Sequence, residues 1–227
     1  MDIYYRTAKA IIRLYHLILL QDCHTFGQRN FPEGAKIIAG NHPNATDGFF
    51  LPFIFPEKLY FFIQGDLFSL PFFGWLLAKA DQIPVVPGKK QLALEKALRL
   101  LKQNKTVALF PEARLNPDGQ AIKSGTGAVR LALQTHTPII PVGFFVPSKN
   151  LHYFERYKQG RKSRGHWQLR GHCYLHIGAP WTPGSDGAKT SSTQAIHSLT
   201  AQLMSIINQQ AQLAMQAFTQ ETGLPAD

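Results

Sequence analysis

The sequence predicts a single α/β domain, a mixed, largely parallel sheet flanked by helices, with an amphipathic helix at each end. Three observations carry this. Short β-branched apolar runs alternate with stretches of helical period, the pattern of strands joined by helical crossovers. The chain has 227 residues, 44% of them apolar, enough for one sizeable core. Both terminal stretches space their apolar residues three and four apart, as a helix buried on one face does.

In chain order, residues 3–20 place Tyr4, Ala8, Ile11, Ile12, Tyr15, Ile18 and Leu19 on one helical stripe, with Arg6, Lys9 and Arg13 interspersed. This helix either packs on the domain or lies in a membrane interface. Its apolar run, residues 11–20, is interrupted by Arg13 and His16 and is followed by no small-residue cleavage site, which argues against a signal peptide. It is also too short to span a bilayer, so no transmembrane span is expected. Residues 37–39, 83–86, 106–110, 138–144 and 172–177 read as strands, and 90–103 and 125–134 as helices. Residues 149–171 are basic, relieved by Tyr153, Phe154, Tyr157 and Trp167; they read as a solvated loop, or as a basic and aromatic surface that settles on anionic lipid. A linker over 181–193 leads to a closing helix at about 194–218. The expected division is residues 1–30 as an N-terminal amphipathic, membrane-associating helix, 31–182 as the α/β domain, and 183–227 as linker and C-terminal helix.

Lys and Arg number 24 against 14 Asp and Glu, a formal charge of +10. That favours an anionic partner: lipid headgroups, phosphorylated metabolites, an acidic carrier protein or nucleic acid. The two cysteines, Cys23 and Cys173, show no C-x-x-C spacing, which fits a reducing, cytoplasmic compartment and implies no disulfide framework. His166, His172, His176 and Cys173 form the one loose cluster of metal-ligating types, and its spacing along a strand keeps the ligands apart, so no metal is expected. No G-x-S-x-G elbow marks a serine hydrolase, and Gly125-Thr126-Gly127 completes neither a Walker A loop nor G-x-G-x-x-G.

The chemistry sits directly after the first predicted strand of the domain, in Asn41-His42-Pro43-Asn44-Ala45-Thr46-Asp47. Strand ends are where α/β folds present ligand-binding loops. An imidazole beside a carboxylate is held in one tautomer, Nδ1–H given to the acid and Nε2 free to accept a proton. Five residues of loop containing a proline let His42 and Asp47 fold together, whereas a regular helix or strand points them apart. Downstream lie Phe110-Pro111-Glu112-Ala113-Arg114, then Lys123 ahead of Ser124-Gly125-Thr126-Gly127, then the proline-bounded strand 138–143.

These four blocks come in the order and spacing of the glycerolipid acyltransferases, and the chain resembles the 1-acyl-sn-glycerol-3-phosphate (lysophosphatidic acid and lysophospholipid) acyltransferase family from about residue 34 to 180. The resemblance implies transfer of a fatty acyl group from acyl-CoA or acyl-acyl carrier protein to a hydroxyl of a lysophospholipid or glycerophosphate. No bound cofactor is implied, since the thioester is a substrate. His42 is implied as the general base and Asp47 as its partner. Arg114, Lys123 and Lys89 are candidates for the acceptor phosphate, because a dianion needs fixed cations and donors to leave water. Glu112 and Asn44 are candidates for positioning the acceptor loop. The partners implied are the acceptor lipid, the acyl thioester donor, acyl carrier protein as one form of that donor, and an anionic membrane surface; nucleic acid is not. The implied location is the cytoplasmic face of a membrane, peripheral or monotopic. The rival reading is a non-catalytic basic protein that binds anionic lipid or nucleic acid. Two departures bear on the acceptor. Lys89 stands near where many members end a strand with arginine, and arginine comes one place early in Glu112-Ala113-Arg114, with alanine where glycine is common. Both point away from phosphatidate synthesis and toward lysophospholipids such as lysophosphatidylethanolamine. If that glycine serves a positive φ, Ala113 is either ordinary or strained.

Overall fold

The structure, a computed structural model, describes residues 2–20, 23–158, 161–184 and 192–225. Its centre is a seven-stranded sheet built from β1 (Cys23–Gly27), β2 (Ile37–Gly40), β3 (Leu59–Gln64), β4 (Ile83–Val85), β5 (Thr106–Leu109), β6 (Ile139–Phe145) and β9 (Cys173–Ile177), in the order β1-β9-β6-β2-β5-β3-β4. All neighbours run parallel except β6 and β9. β2 sits between β5 and β6, so the strands beside it lie on opposite sides, the arrangement in which open α/β sheets place ligand sites at the C-terminal ends of their strands.

The central strands are short and apolar because both of their faces are covered. On one face Ile37, Ala39, Val107, Leu109 and Ile139 pack with α4 (Lys90–Lys102), α5 (Gly127–Thr135) and α6 (Thr193–Thr222). On the other, Ile38, Ala108, Ile140, Val142 and Phe144 pack with Phe50, Phe55 and the short helix α2 (Leu51–Ile54). The period-two alternation of each strand is thus spent on two cores.

The long helix α6 approaches β6 through Gly143. A Cβ there would stand 2.0 Å from the Ala211 amide nitrogen and 2.1 Å from the Gln210 carbonyl carbon. Backbone cannot yield as a flexible side chain does, so the Gly143→Ala variant is expected to lose about 3 kcal/mol of stability, read as a lower midpoint in denaturant unfolding.

Three elements differ from the sequence expectation. Leu59-Tyr60-Phe61-Phe62-Ile63-Gln64, where no strand is expected from sequence, forms β3; its apolar run is continuous, and such a run alone does not distinguish strand from helix. Residues 1–30 supply more than a helix, because β1 follows α1 (Ile3–Leu19) and pairs in register with β9. Residues expected as a solvated loop form a hairpin, β7 (Leu151–Lys158) with β8 (Arg161–Gln168). A two-stranded ribbon needs no apolar face, so its charged sequence hides it. The side chains of Arg156, Tyr157, Lys158, Arg161, Lys162 and Arg164, and linker residues 185–191, lie outside what is described.

The helix α1 packs on the domain. Tyr5 is buried, Tyr4 meets Trp75 of α3 (Phe73–Lys79) edge to face at 5.5 Å, and Tyr15 meets Phe49 at 5.6 Å. Leu14 and Leu17, on its opposite side, are exposed at 57% and 74%, and Ile18, on the stripe expected to be apolar, at 70%. Among the described residues no helix is long and apolar enough to cross a membrane.

Candidate active site

The loop after β2 carries both His42 and Asp47, and the structure brings them together: His42 Nδ1 lies 3.1 Å from Asp47 Oδ2. Asp47 opens a 3₁₀ turn, Asp47–Phe49, and is fully buried. Asn44 closes the loop on it. Its backbone N–H donates to Asp47 Oδ2 at 2.9 Å, its side-chain amide donates to Asp47 Oδ1, and its own Oδ1 accepts from the Thr46 N–H at 2.8 Å and from the Thr46 hydroxyl. Asn44 and Thr46 are as buried as Asp47. Asn44 therefore acts on the carboxylate beside His42.

Burial pushes the Asp47 carboxyl up to about 6, against the hydrogen bond and charge of His42 and the Asn44 N–H; the charge of Glu112 adds to the upward push. The buried carboxyl is thus held by the imidazole and by the two donors of Asn44. His42 remains partly open, its side chain 19% exposed, and its ring stacks on Phe110 with centroids 4.1 Å apart and planes 7° from parallel. Stacking and the Asp47 bond together define the ring's plane and tautomer. Among the described residues Nε2 has no hydrogen-bond partner within the chain, so it is available to take a proton.

The backbone of His42 is fixed equally well. Its N–H donates to Glu112 Oε2 at 2.7 Å, and its carbonyl accepts from the Asn116 N–H at 2.7 Å. Just before it, the Asn41 side chain imitates a strand residue: its Nδ2 donates to the Phe144 carbonyl at 3.0 Å and its Oδ1 accepts from the Phe144 N–H at 2.7 Å. Beyond it, the Ala45 N–H donates to the His166 carbonyl of β8 at 2.8 Å, so the hairpin closes one side of the loop.

Glu112 is buried and lies after β5, the strand next to β2. Arg114 and Lys123 are exposed, yet their segments are tied to the same place: the Gly125 N–H donates to the Pro111 carbonyl at 2.7 Å. Lys89 stands apart. It is exposed at the start of α4 after β4, three strand positions from β2, about 14 Å along the sheet. Ala113, the residue in place of glycine, has φ +54° and sits in the left-handed region. A Cβ there is strained. The Ala113→Gly variant is expected to gain about 1 kcal/mol of stability, seen as a melting temperature raised by a few degrees.

Sequence reasoning missed Asn41, the Phe110 ring, Thr46 and Asn116 as parts of the site. Asn41 and Thr46 flank His42 and Asp47, and Phe110 opens the Phe110-Pro111-Glu112 motif. Asn116 had no sequence signal, because its contacts join loops from two strands.

The Acyltransferase family profile matches residues 23–144, which hold β1 to β5, all but the last residue of β6, and His42, Asp47, Glu112 and Asn116. The chain is similar to the 1-acyl-sn-glycerol-3-phosphate acyltransferase of Pseudomonas aeruginosa, 32% identical over 120 residues covering 51% of this chain and 46% of that protein. It is also similar to the enzyme of the same name from Saccharomyces cerevisiae, 30% identical over 142 residues, 60% of this chain and 47% of that one. The chain spans about half the length of these relatives. The crystal structure of the 1-acyl-sn-glycerophosphate acyltransferase PlsC from Thermotoga maritima shares the fold, with a TM-score of 0.66 at 20% identity over 92% of this chain and 78% of that one. A family profile matching more than half of the chain, laid over the loops that carry His42, Asp47 and Glu112, shows that this protein belongs to the acyltransferase family.

Proposed function

We propose that this chain is an O-acyltransferase of phospholipid metabolism, moving a fatty acyl group from acyl-CoA or acyl-acyl carrier protein to a hydroxyl of a lysophospholipid or glycerophosphate, with His42 as general base. The observation that carries the reading is the His42 ring, held at Nδ1 by buried Asp47 and stacked on Phe110, with Nε2 unpartnered among the described residues. Nε2 takes the acceptor's hydroxyl proton as its oxygen attacks the thioester carbonyl carbon. The imidazolium so formed is stabilised by Asp47. When the tetrahedral intermediate collapses, the C–S bond breaks and the leaving thiolate takes the proton back from Nε2. Atoms and charge balance, and no acyl-enzyme is needed.

Arg114, on the loop beside His42, and Lys123, on the segment tied to Pro111, supply positive charge for the acceptor's phosphate. Lys89, farther along the sheet edge, is better placed for a more distant anionic group. The exposed Leu14, Leu17 and Ile18 of α1, with Arg6, Lys9 and Arg13 on the same helix, support peripheral docking on an anionic cytoplasmic membrane face. The test offers acyl-CoA and acyl-acyl carrier protein donors, with a panel of lysolipids and glycerol 3-phosphate, to the wild type and to His42→Ala. Acyl transfer by the wild type to at least one acceptor, lost in the variant, supports the reading. No transfer to any acceptor, or an equally active variant, overturns it.

A further inference from the structure

The acyl-transfer reading accounts for His42, Asp47 and the surface cations, but leaves a buried amide next to them without a role. Asn116 is only 8% exposed and every polar atom of it is engaged. Its backbone N–H donates to the His42 carbonyl at 2.7 Å. Its Nδ2 donates to Glu112 Oε1 at 2.7 Å and to the Gln120 carbonyl at 2.9 Å, and its Oδ1 accepts from the Gln120 N–H at 3.1 Å. Glu112 in turn gives its other oxygen to the His42 N–H. The peptide groups on both sides of His42 are therefore closed into one ring of hydrogen bonds through Glu112 and Asn116. Exposed Arg114 lies on the arc between these two buried anchors.

We propose that Asn116 is a positioning residue for the base: it holds Glu112 against the His42 N–H and makes His42 and Arg114 parts of one rigid unit. The chemistry of the side chain suits the task. Glu112 needs a donor and the Gln120 N–H needs an acceptor, and an amide supplies both. Leucine would supply neither, and a carboxylate would set a second anion against Glu112. Alanine leaves a buried carboxylate oxygen without its donor, a loss that loosens the His42 backbone. A displacement of about 1 Å at a reacting group costs on the order of 10²-fold in rate.

This inference rests on the acyl-transfer reading, and the experiment separates the two. Wild type, His42→Ala, Arg114→Ala, Asn116→Ala and Asn116→Asp are assayed between pH 5.5 and 8. Expected for Asn116→Ala is a kcat lowered by about 10²-fold with little change in the acceptor KM, whereas Arg114→Ala chiefly raises that KM. In Asn116→Asp, two carboxylates at hydrogen-bond distance share a proton more readily as pH falls, and the shared proton restores the bridge. The ratio of its kcat to that of the wild type should therefore rise by about tenfold or more from pH 8 to 5.5. A further negative charge near Asp47 can only push its carboxyl up, which lowers the ratio as pH falls and so opposes the expected rise. Arg114 and Asp118 are the other charged side chains of the same loop, and they are common to both proteins.

Selective 15N-histidine labelling supplies a readout that does not depend on turnover. The His42 amide resonance, identified by its absence from His42→Ala, should move in Asn116→Asp at pH 8 and return toward the wild-type position at pH 5.5. A pH-independent kcat ratio, a kcat in folded Asn116→Ala within about twofold of wild type, or an unmoved His42 amide overturns the inference. Absence of wild-type turnover overturns the acyl-transfer reading, and the amide resonance then decides whether Asn116 positions His42.

Discussion

Replacing His42 with alanine should lower kcat by about 10²- to 10⁴-fold, the usual contribution of a general base, while the protein stays folded. The fold is spared because the ring is partly open to solvent and the sheet core does not depend on it. Asp47, deprived of the imidazole, keeps both bonds from Asn44. Steady-state kinetics with a thioester donor, together with a thermal melt, measure the two effects. A variant that keeps wild-type kcat would remove His42 from the chemistry, and one that fails to fold would show that Asp47 needs the imidazole to remain buried.

The Asp47→Asn variant is expected to lose about 10⁴-fold in kcat, the scale at which a misdirected histidine tautomer disables a base. An amide places an N–H donor where the carboxylate accepted. Asn44 donates to both carboxylate oxygens, so either placement of the new amide sets its N–H against a donor; with the nitrogen at the Oδ2 position it faces His42 Nδ1, and Nε2 then carries the proton and has no lone pair to offer. No imidazolium partner remains either. Kinetics on a folded variant test this, and a loss under about tenfold would show that Asp47 does not direct the tautomer.

Stability should respond in the opposite sense. Asp47 has a native pKa of about 6 against an ordinary 3.8, so the native state binds the proton more tightly than the unfolded chain. The stabilisation this gives is complete below 3.8 and is lost as pH rises through about 6. At neutral pH the ionised, buried carboxylate therefore weighs against folding. Asp2 and Glu57 shift the other way, being held below their ordinary values in spite of burial by bonds to Lys58 and Lys36. Comparing wild type with Asp47→Asn isolates the Asp47 contribution. The wild-type melting temperature should gain on that of the variant as pH falls from about 6 toward 4. Wild-type activity should fall over the same range, as protonation removes the partner of the imidazolium.

Much of the architecture was legible in the chain. The strands β2, β4, β5, β6 and β9 and the helices α1, α4, α5 and α6 follow from apolar period and turn residues, which act over a few neighbours. β3 was hidden in a continuous apolar run that does not distinguish strand from helix, and β1 and the β7–β8 hairpin were not legible either. Their residues are charged or half-buried, and they form strands because a partner strand supplies hydrogen bonds from elsewhere in the sequence. The same division runs through the site. His42, Asp47 and Asn44 lie within one six-residue loop, and Glu112 and Arg114 share one motif, so sequence alone could nominate them. Sequence could not show that Asn44 serves Asp47, that Phe110 carries the imidazole on its face, or that Ala113 occupies a left-handed conformation.

The α/β class, the order of the motifs and the residue types able to move a proton can all be read along the chain. That β2 and β5 lie side by side cannot, and it is settled only when the sheet assembles. This adjacency brings the Glu112–Asn116 loop within hydrogen-bond reach of the His42 peptide and leaves Lys89 three strands away. The difference is one of range: helical and strand periods are set by neighbours a few residues apart, whereas the His42–Glu112 bond spans 70 residues and exists only once the sheet has formed.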